Sequence, residues 1–102
     1  MANFAKLMKQ AASMQKDLER IQSDLAVRTV DFSSGGGMVV ATAKGDGSLS
    51  KIKIDPKVVN PADVEMLEDL VQAAVDGALK AARDLANQEM SKVTAGMRLP
   101  GM

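Results

Sequence analysis

The sequence predicts an α+β domain with an N-terminal helix, a three-stranded antiparallel sheet and a long C-terminal helix. Apolar residues recur every three or four positions at both ends of the chain, as on one face of a helix. In the middle they recur at every second position, between glycine-rich turns. The predicted bounds are a helix over 1–26, a meander over 28–55, a long helix over 60–93 and a tail over 94–102. We expect all 102 residues to form one domain.

The first helix carries one narrow apolar stripe. Its members alternate steps of three and four over about three heptads, and they are Phe4, Leu7, Ala11, Met14, Leu18, Ile21 and Leu25. A sustained coiled coil needs more heptads than this. We therefore expect the stripe to pack on the long helix or on a second copy of the chain.

A basic face lies opposite this stripe. A rotation of about 100° per residue places Lys6, Lys9, Lys16 and Arg20 in one quadrant. No acidic residue precedes Asp17, and lysines in the first turns of a helix oppose its macrodipole. Two interpretations remain open from the residues alone, a binding face for an external anion and an ordinary solvated surface.

The middle of the chain predicts three short strands. The first contains Val30 and Phe32, the second is the β-branched and small-residue run 38–44, and in the third Ile52 and Ile54 alternate with lysines. Turns are expected at 33–37 and, as a tight hairpin, at 45–48. The three glycines at 35–37 lack the Lys-Ser/Thr of a phosphate-binding loop and run into a strand, so they do not indicate a nucleotide site.

The long helix is predicted to begin at Pro61 with Asn60 as its cap, and to stop after Val93 because Gly96 and Pro100 follow. Gly77 is a weak point inside it. The residues expected to be deeply buried are Leu67, Leu70, Val71 and Ala74. The opposite face is expected in water and comprises Glu65, Asp69, Gln72, Asp76, Lys80, Arg83 and Asn87.

Composition excludes most catalytic chemistry. Histidine, cysteine, tyrosine and tryptophan are absent, which removes the usual general base, thiol nucleophile and metal ligands. The acids Glu65, Glu68 and Asp69 cluster in the first turns of a helix, where the dipole explains them, so a metal-dependent enzyme is a remote alternative. We expect no catalytic residue, no cofactor and no metal. Basic and acidic residues balance at 13 each, so any charged surface is local.

Two further absences bear on partners and location. With only Phe4 and Phe32 as aromatics, stacking on nucleic-acid bases is not expected. Neither a signal peptide nor a run of membrane-spanning length is present in the sequence, which favours a cytoplasmic protein without a membrane partner. Nothing in the chain indicates a small-molecule substrate.

Several short blocks resemble the YbaB/EbfC family. They are Leu7-Met8-Lys9-Gln10-Ala11 with Met14-Gln15, Ile54-Asp55-Pro56, Met66-Leu67-Glu68-Asp69-Leu70-Val71 with Ala73-Ala74, and Gly96-Met97-Arg98-Leu99-Pro100. They span nearly the whole chain, and their order and spacing make the resemblance fairly specific.

The resemblance implies a bacterial nucleoid-associated protein that binds duplex DNA as a tweezer-like homodimer. By analogy, Lys6, Lys9, Lys16 and Arg20 are the first candidates for DNA contacts, and Lys80, Arg83 and Lys92 are second candidates. The alternative function is a non-catalytic scaffold whose amphipathic helices bind a protein partner. Salt separates the two, because backbone binding weakens steeply with salt and an apolar helix contact does not.

Overall fold

The computed structural model describes residues 2–96, and the side chains of residues 3–93. Helix α1 spans Ala2–Val27, strands β1, β2 and β3 span Thr29–Ser34, Val39–Lys44 and Leu49–Ile54, and helix α2 spans Val64–Gly96. Short 3-10 turns lie at Gly35–Gly37 and Pro56–Val58. The predicted order, a helix, a three-stranded antiparallel sheet and a long helix, is confirmed. The tail beyond residue 96, with Pro100, lies outside the described residues.

The sheet is a meander in the order β1-β2-β3, with both pairs antiparallel. The hairpin at 45–48 is where the glycines predict it, and Gly47 adopts a φ of 91° that favours glycine. Asp46 tightens this turn by accepting hydrogen bonds from the Ser48 amide at 3.0 Å and the Ser48 hydroxyl at 2.6 Å. These hydrogen bonds lower the pKa of Asp46, the one from the Ser48 side chain contributing most. The turn joins β2 to β3, whose pairing has one irregularity of register, between Thr42 and Ala43.

The two faces of the sheet have different roles. On the inner face, Val39, Ala41 and Ala43 of β2 are fully buried against Ala74, Ala78 and Ala82 of α2. The small side chains allow the helix to approach the sheet closely. Because successive residues of a strand point to opposite faces, Val40, Thr42 and Lys44 lie on the outer face.

The inner face is only partly covered in a single chain. Helix α2 packs mainly on β1 and β2, so the inner-face residues of β3 remain open. Leu49, Ile52 and Ile54 keep 40%, 39% and 37% of their surface exposed. A considerable apolar surface is thus left beside the core.

The predicted beginning of the long helix was wrong. Asn60 accepts a hydrogen bond from the Ala62 amide at 3.0 Å, which closes a separate turn, and α2 begins at Val64. Asp63 caps the N-terminus of α2, since its carboxylate accepts a hydrogen bond from the Met66 amide at 3.2 Å. At the other end α2 continues to Gly96, so the predicted stop after Val93 was three residues early.

Burial on α2 also differs from the prediction. Of the four residues expected to be deeply buried, Ala74 is, but Leu67, Leu70 and Val71 are only half-buried. The reason is that, within residues 2–96, no element covers one side of β3 and of the first turns of α2. The polar face of α2 is exposed as predicted, including Glu65, Asp76 and Asn87.

The apolar stripe of α1 is packed only near its C-terminal end. Ile21 and Leu25 are buried, and Leu25 lies against Gly45 at the hairpin. Phe4 and Leu7, by contrast, are 68% and 59% exposed. The first half of α1 therefore extends away from the packed body as an arm, in a molecule whose extents are 73 × 25 × 16 Å.

Candidate nucleic-acid interface

The basic side chains at the N-terminal end of α1 stand on this arm. Residues 3–9 are all exposed, Lys6 and Lys9 among them, and Lys16 is exposed further along the helix. Within residues 2–96 no ion pair involves any of these three lysines. The first turn of α1 also contains no acidic residue. Their charge is therefore available to an external anion.

Arg20 belongs to the same predicted face but has an acidic neighbour. Its guanidinium lies 3.5 Å from the carboxylate of Asp17, one turn earlier. The pair is exposed, and exposed ion pairs of this kind contribute little to stability. Asp17 nevertheless offsets part of the charge that Arg20 would present.

The second candidates, on α2, do not form one group. Lys80 and Arg83 are exposed at a spacing of three residues, which places them on the same side of the helix, and no ion pair of the described residues includes them. Lys92 lies nearer the end of α2, where its ammonium is 3.1 Å from the carboxylate of Glu89. The structure thus separates Lys92 from the other two.

A cleft between α1 and α2 brings Arg20 and Lys92 together. It has a volume of about 650 Å³, and its charged lining also includes Asp17, Asp24 and Glu89. Three acids against two bases do not make an electropositive site. The cleft is therefore less suited to an anion than the arm beyond it.

Arg28 is a structural residue that no sequence pattern predicts. It follows α1 directly, and its guanidinium lies 3.0 Å from Glu89, 61 residues later, and 3.6 Å from Asp24. The side chain of Glu89 is only 17% exposed. Hydrogen bonds from Lys92 and then from Arg28 lower the pKa of Glu89. This link ties the junction of α1 and β1 to α2, and no local spacing in the sequence indicates it.

The acidic residues in the first turns of α2 were the candidates for a metal site. Glu65, Glu68 and Asp69 are exposed on the helix surface. In the described part of the chain, no three acidic side chains are grouped so that they could hold a metal ion. Nor is any helix of residues 2–96 long and apolar enough to cross a bilayer.

The protein is a small α+β domain with an exposed basic helical arm. Residues 1–97 match the model of the YbaB/EbfC DNA-binding family. The chain belongs to this family, as its short sequence blocks indicate.

Relatives align with nearly the whole chain. One from Ruminiclostridium cellulolyticum, called a nucleoid-associated protein, is 52% identical over 101 residues, covering 98% of this chain and 88% of the relative. Another of the same description, from Moorella thermoacetica, is 50% identical and covers 99% and 97%. A crystal structure of the uncharacterized protein HP0035 from Helicobacter pylori aligns with a TM-score of 0.78 at 22% identity, covering 89% of this chain and 96% of that one. That likeness concerns the fold.

Proposed function

We propose that the protein binds duplex DNA through its phosphate backbone, with little sequence preference, as a non-catalytic, nucleoid-associated homodimer of the bacterial cytoplasm. The observation that carries the proposal is the arm of α1, where Lys6, Lys9 and Lys16 are exposed and have no acidic partner among the described residues. The family and the names of the relatives support the same ligand.

The chemistry of these residues favours phosphate over bases. Lysine presents a compact charge on a flexible stem, without the rigid planar fork that makes arginine geometrically selective. Of the two aromatic residues, Phe32 packs against Gly77 of α2 on the inner face of the sheet, and only Phe4, which is 68% exposed, lies on the arm. One phenylalanine does not form a platform on which successive bases could stack. Contacts to phosphate position a protein on the duplex and carry no sequence information directly.

The seven predicted residues are not equivalent in this proposal. Lys6, Lys9 and Lys16 are the main contacts. Arg20 and Lys92 contribute less because each has an acidic neighbour, Asp17 and Glu89 respectively. Lys80 and Arg83 remain second contacts on a separate surface, which a second copy of the chain could bring toward the same duplex.

Exposed apolar surface supports the homodimer. Ile52 and Ile54 on β3 and Val64 and Met66 at the start of α2 are all more than a third exposed. Solvent-exposed apolar surface of this extent commonly marks a protein interface. A two-fold symmetric dimer would cover this apolar surface and would carry two basic arms, one from each chain, like the two limbs of a tweezer.

The test is a salt series on DNA binding with unrelated duplexes of equal length. The variant Lys6→Ala/Lys9→Ala/Lys16→Ala should bind all of them more weakly by a similar factor. The slope of log affinity against log salt should fall by about 0.9 for each phosphate that the variant no longer neutralises. Leu18→Ala is the folding control, since it should affect the melting temperature before it affects the salt slope. A folded triple variant with unchanged affinity and slope would contradict the assignment.

The scaffold function remains the second candidate because Phe4, Leu7 and Met8 are 68%, 59% and 58% exposed on the same arm. In that case the arm would bind the groove of a protein partner through apolar contacts. Such binding would be nearly independent of salt. It would also be abolished in Leu7→Ala and retained in Lys9→Ala, which is the reverse of the pattern expected for DNA.

A further inference from the structure

The outer face of the sheet carries a second basic surface that is separate from the arm of α1. Thr42 of β2 pairs with Lys51 of β3, and Val40 pairs with Lys53. Cross-strand partners share a face, so both lysines lie on the outer face together with Lys44. We call Lys44, Lys51 and Lys53 the sheet lysines.

The acids near this surface, Asp31, Asp46 and Asp55, accept local hydrogen bonds, which orient their carboxylates but do not remove their charge. Asp31 shares the outer face, but its carboxylate accepts from the Thr42 hydroxyl at 2.7 Å. Thr42 separates it from Lys51, so Asp31 and Lys51 stand two strand spacings apart, about 10 Å. Asp55 accepts from the Lys57 amide at 2.9 Å. Within residues 2–96 none of the sheet lysines forms an ion pair, but Lys44 is close enough to Asp46 to help lower the pKa of that carboxyl, so Lys51 and Lys53 carry most of the available charge.

The opposite side of the body has the opposite charge. Between Asn60 and Lys80, five acids occur and no base, and Asp63, Glu65, Glu68, Asp69 and Asp76 are all exposed. The neutral chain is therefore polarised, with acids along the first half of α2 and lysines on the outer face of the sheet. Such a body orients in the field of a polyanion with the sheet toward it.

We propose that the sheet lysines are a further contact surface for the duplex backbone, resting on the DNA binding proposed above. Lys51 and Lys53 are two residues apart on one strand, which places their α-carbons about 7 Å apart on the same face of the sheet. Point charges spread over an open sheet face suit an extended polyanion better than a small anion, which needs a concave site. The surface left open for a second copy of the chain is the inner face, so dimerisation leaves the sheet lysines accessible.

The experiment compares full-length variants on one mixed-sequence duplex by fluorescence anisotropy, over about 50–200 mM salt. Lys51→Thr/Lys53→Thr removes both charges and keeps a residue that favours strands. It should weaken binding and lower the log-log salt slope by about 1.8 for each chain that touches the duplex. Lys51→Arg/Lys53→Arg should retain the slope. Asp69→Asn/Asp76→Asn is the control for net charge: it changes the charge by two units, as the threonine variant does, but raises it, and on the acidic side of the body. It should leave the salt slope unchanged.

Measurements of melting temperature and sedimentation establish that each variant folds and assembles as the wild type does. If the threonine variant is unstable, Lys51→Gln/Lys53→Gln is used in its place. The proposal would be overturned if the folded threonine or glutamine variant kept the wild-type affinity and salt slope. It would also be overturned if the arginine variant lost as much affinity as the threonine variant. The arm variant Lys6→Ala/Lys9→Ala/Lys16→Ala is measured in parallel. If only the arm variant weakens binding, the sheet lysines do not contact the duplex, and the proposed function stands. If the wild type binds no duplex, both proposals fail.

Discussion

The ring of Phe32 lies directly against the α-carbon of Gly77, so that a β-carbon at position 77 would overlap the ring. This contact joins β1 to the middle of α2. The sequence suggests that Gly77 weakens the helix, because glycine lowers helix propensity. The structure gives it a packing role, since only glycine leaves room for the ring.

Gly77→Ala should therefore destabilise the protein. The gain in helix propensity, about 1 kcal/mol, is smaller than the combined cost of displacing the Phe32 ring and disrupting its packing on α2. We expect a net decrease of about 1–3 kcal/mol in the free energy of unfolding, measured by urea denaturation. In a Phe32→Leu background the same change should cost less, because the smaller side chain yields space. A higher stability for Gly77→Ala would show that the ring moves aside freely.

The stripe of small residues on α2 sets its distance from the sheet. Ala78 is fully buried between helix and sheet, whereas Ala73 on the same helix is exposed. Ala78→Leu should lower the free energy of unfolding by about 1–3 kcal/mol or more, since the interface has no room for a larger side chain. Ala73→Leu, as the matched control, should change it by less than about 0.5 kcal/mol. Equal effects at the two positions would mean that α2 is not packed through Ala78.

The link between Arg28 and Glu89 should stabilise the protein in a pH-dependent way. The pKa of Glu89 in the folded protein is held below its ordinary value of 4.5, by Lys92 and then by Arg28. The folded state therefore favours the ionised carboxylate. Its contribution is fully present above the pKa of the unfolded chain, and it disappears as pH falls through the lower pKa of the folded protein.

Glu89→Gln should accordingly lower the melting temperature near neutral pH, and the difference from the wild type should shrink as the pH is lowered into the acid range. Glu68→Gln is the control, because Glu68 is exposed and in no ion pair of the described residues. It should show little effect at any pH. A Glu89→Gln difference that stays constant from neutral pH into acid would assign the effect to packing of the side chain and not to its charge.

The homodimer predicts a specific response at β3. Ile52 is on the inner face and 39% exposed, so in a dimer it would be covered, and Ile52→Glu would bury an unpaired charge there. We expect this variant to sediment as a monomer, or to lose its folded state, at concentrations where the wild type is a dimer. Ser33→Glu places the same charge on the exposed outer face and should leave the assembly intact. A compact, stable wild-type monomer at micromolar concentration would contradict the dimer itself.

Local signals in the sequence were sufficient for the order of the elements. The change from helical to alternating periodicity located the sheet, and the glycines at 45 and 47 located the hairpin, because both depend on the conformation of a few neighbouring residues. The polar face of α2 could also be predicted, since helix geometry fixes which residues share a side. The same geometry grouped the lysines of α1.

Tertiary structure decided what local signals leave open. Asn60 and Asp63 are both good helix caps by residue type, and the backbone path after β3 determines that Asp63 caps α2. The pairing of Arg28 with Glu89, the fit of Phe32 on Gly77 and the incomplete burial of Leu70 and Ile52 all depend on segments distant in sequence. So does the distinction among the basic residues, because the charge that a lysine or arginine presents depends on the carboxylates folded beside it. Periodicity assigns a side chain to a face, but only packing determines which neighbour that face meets and whether it meets one at all.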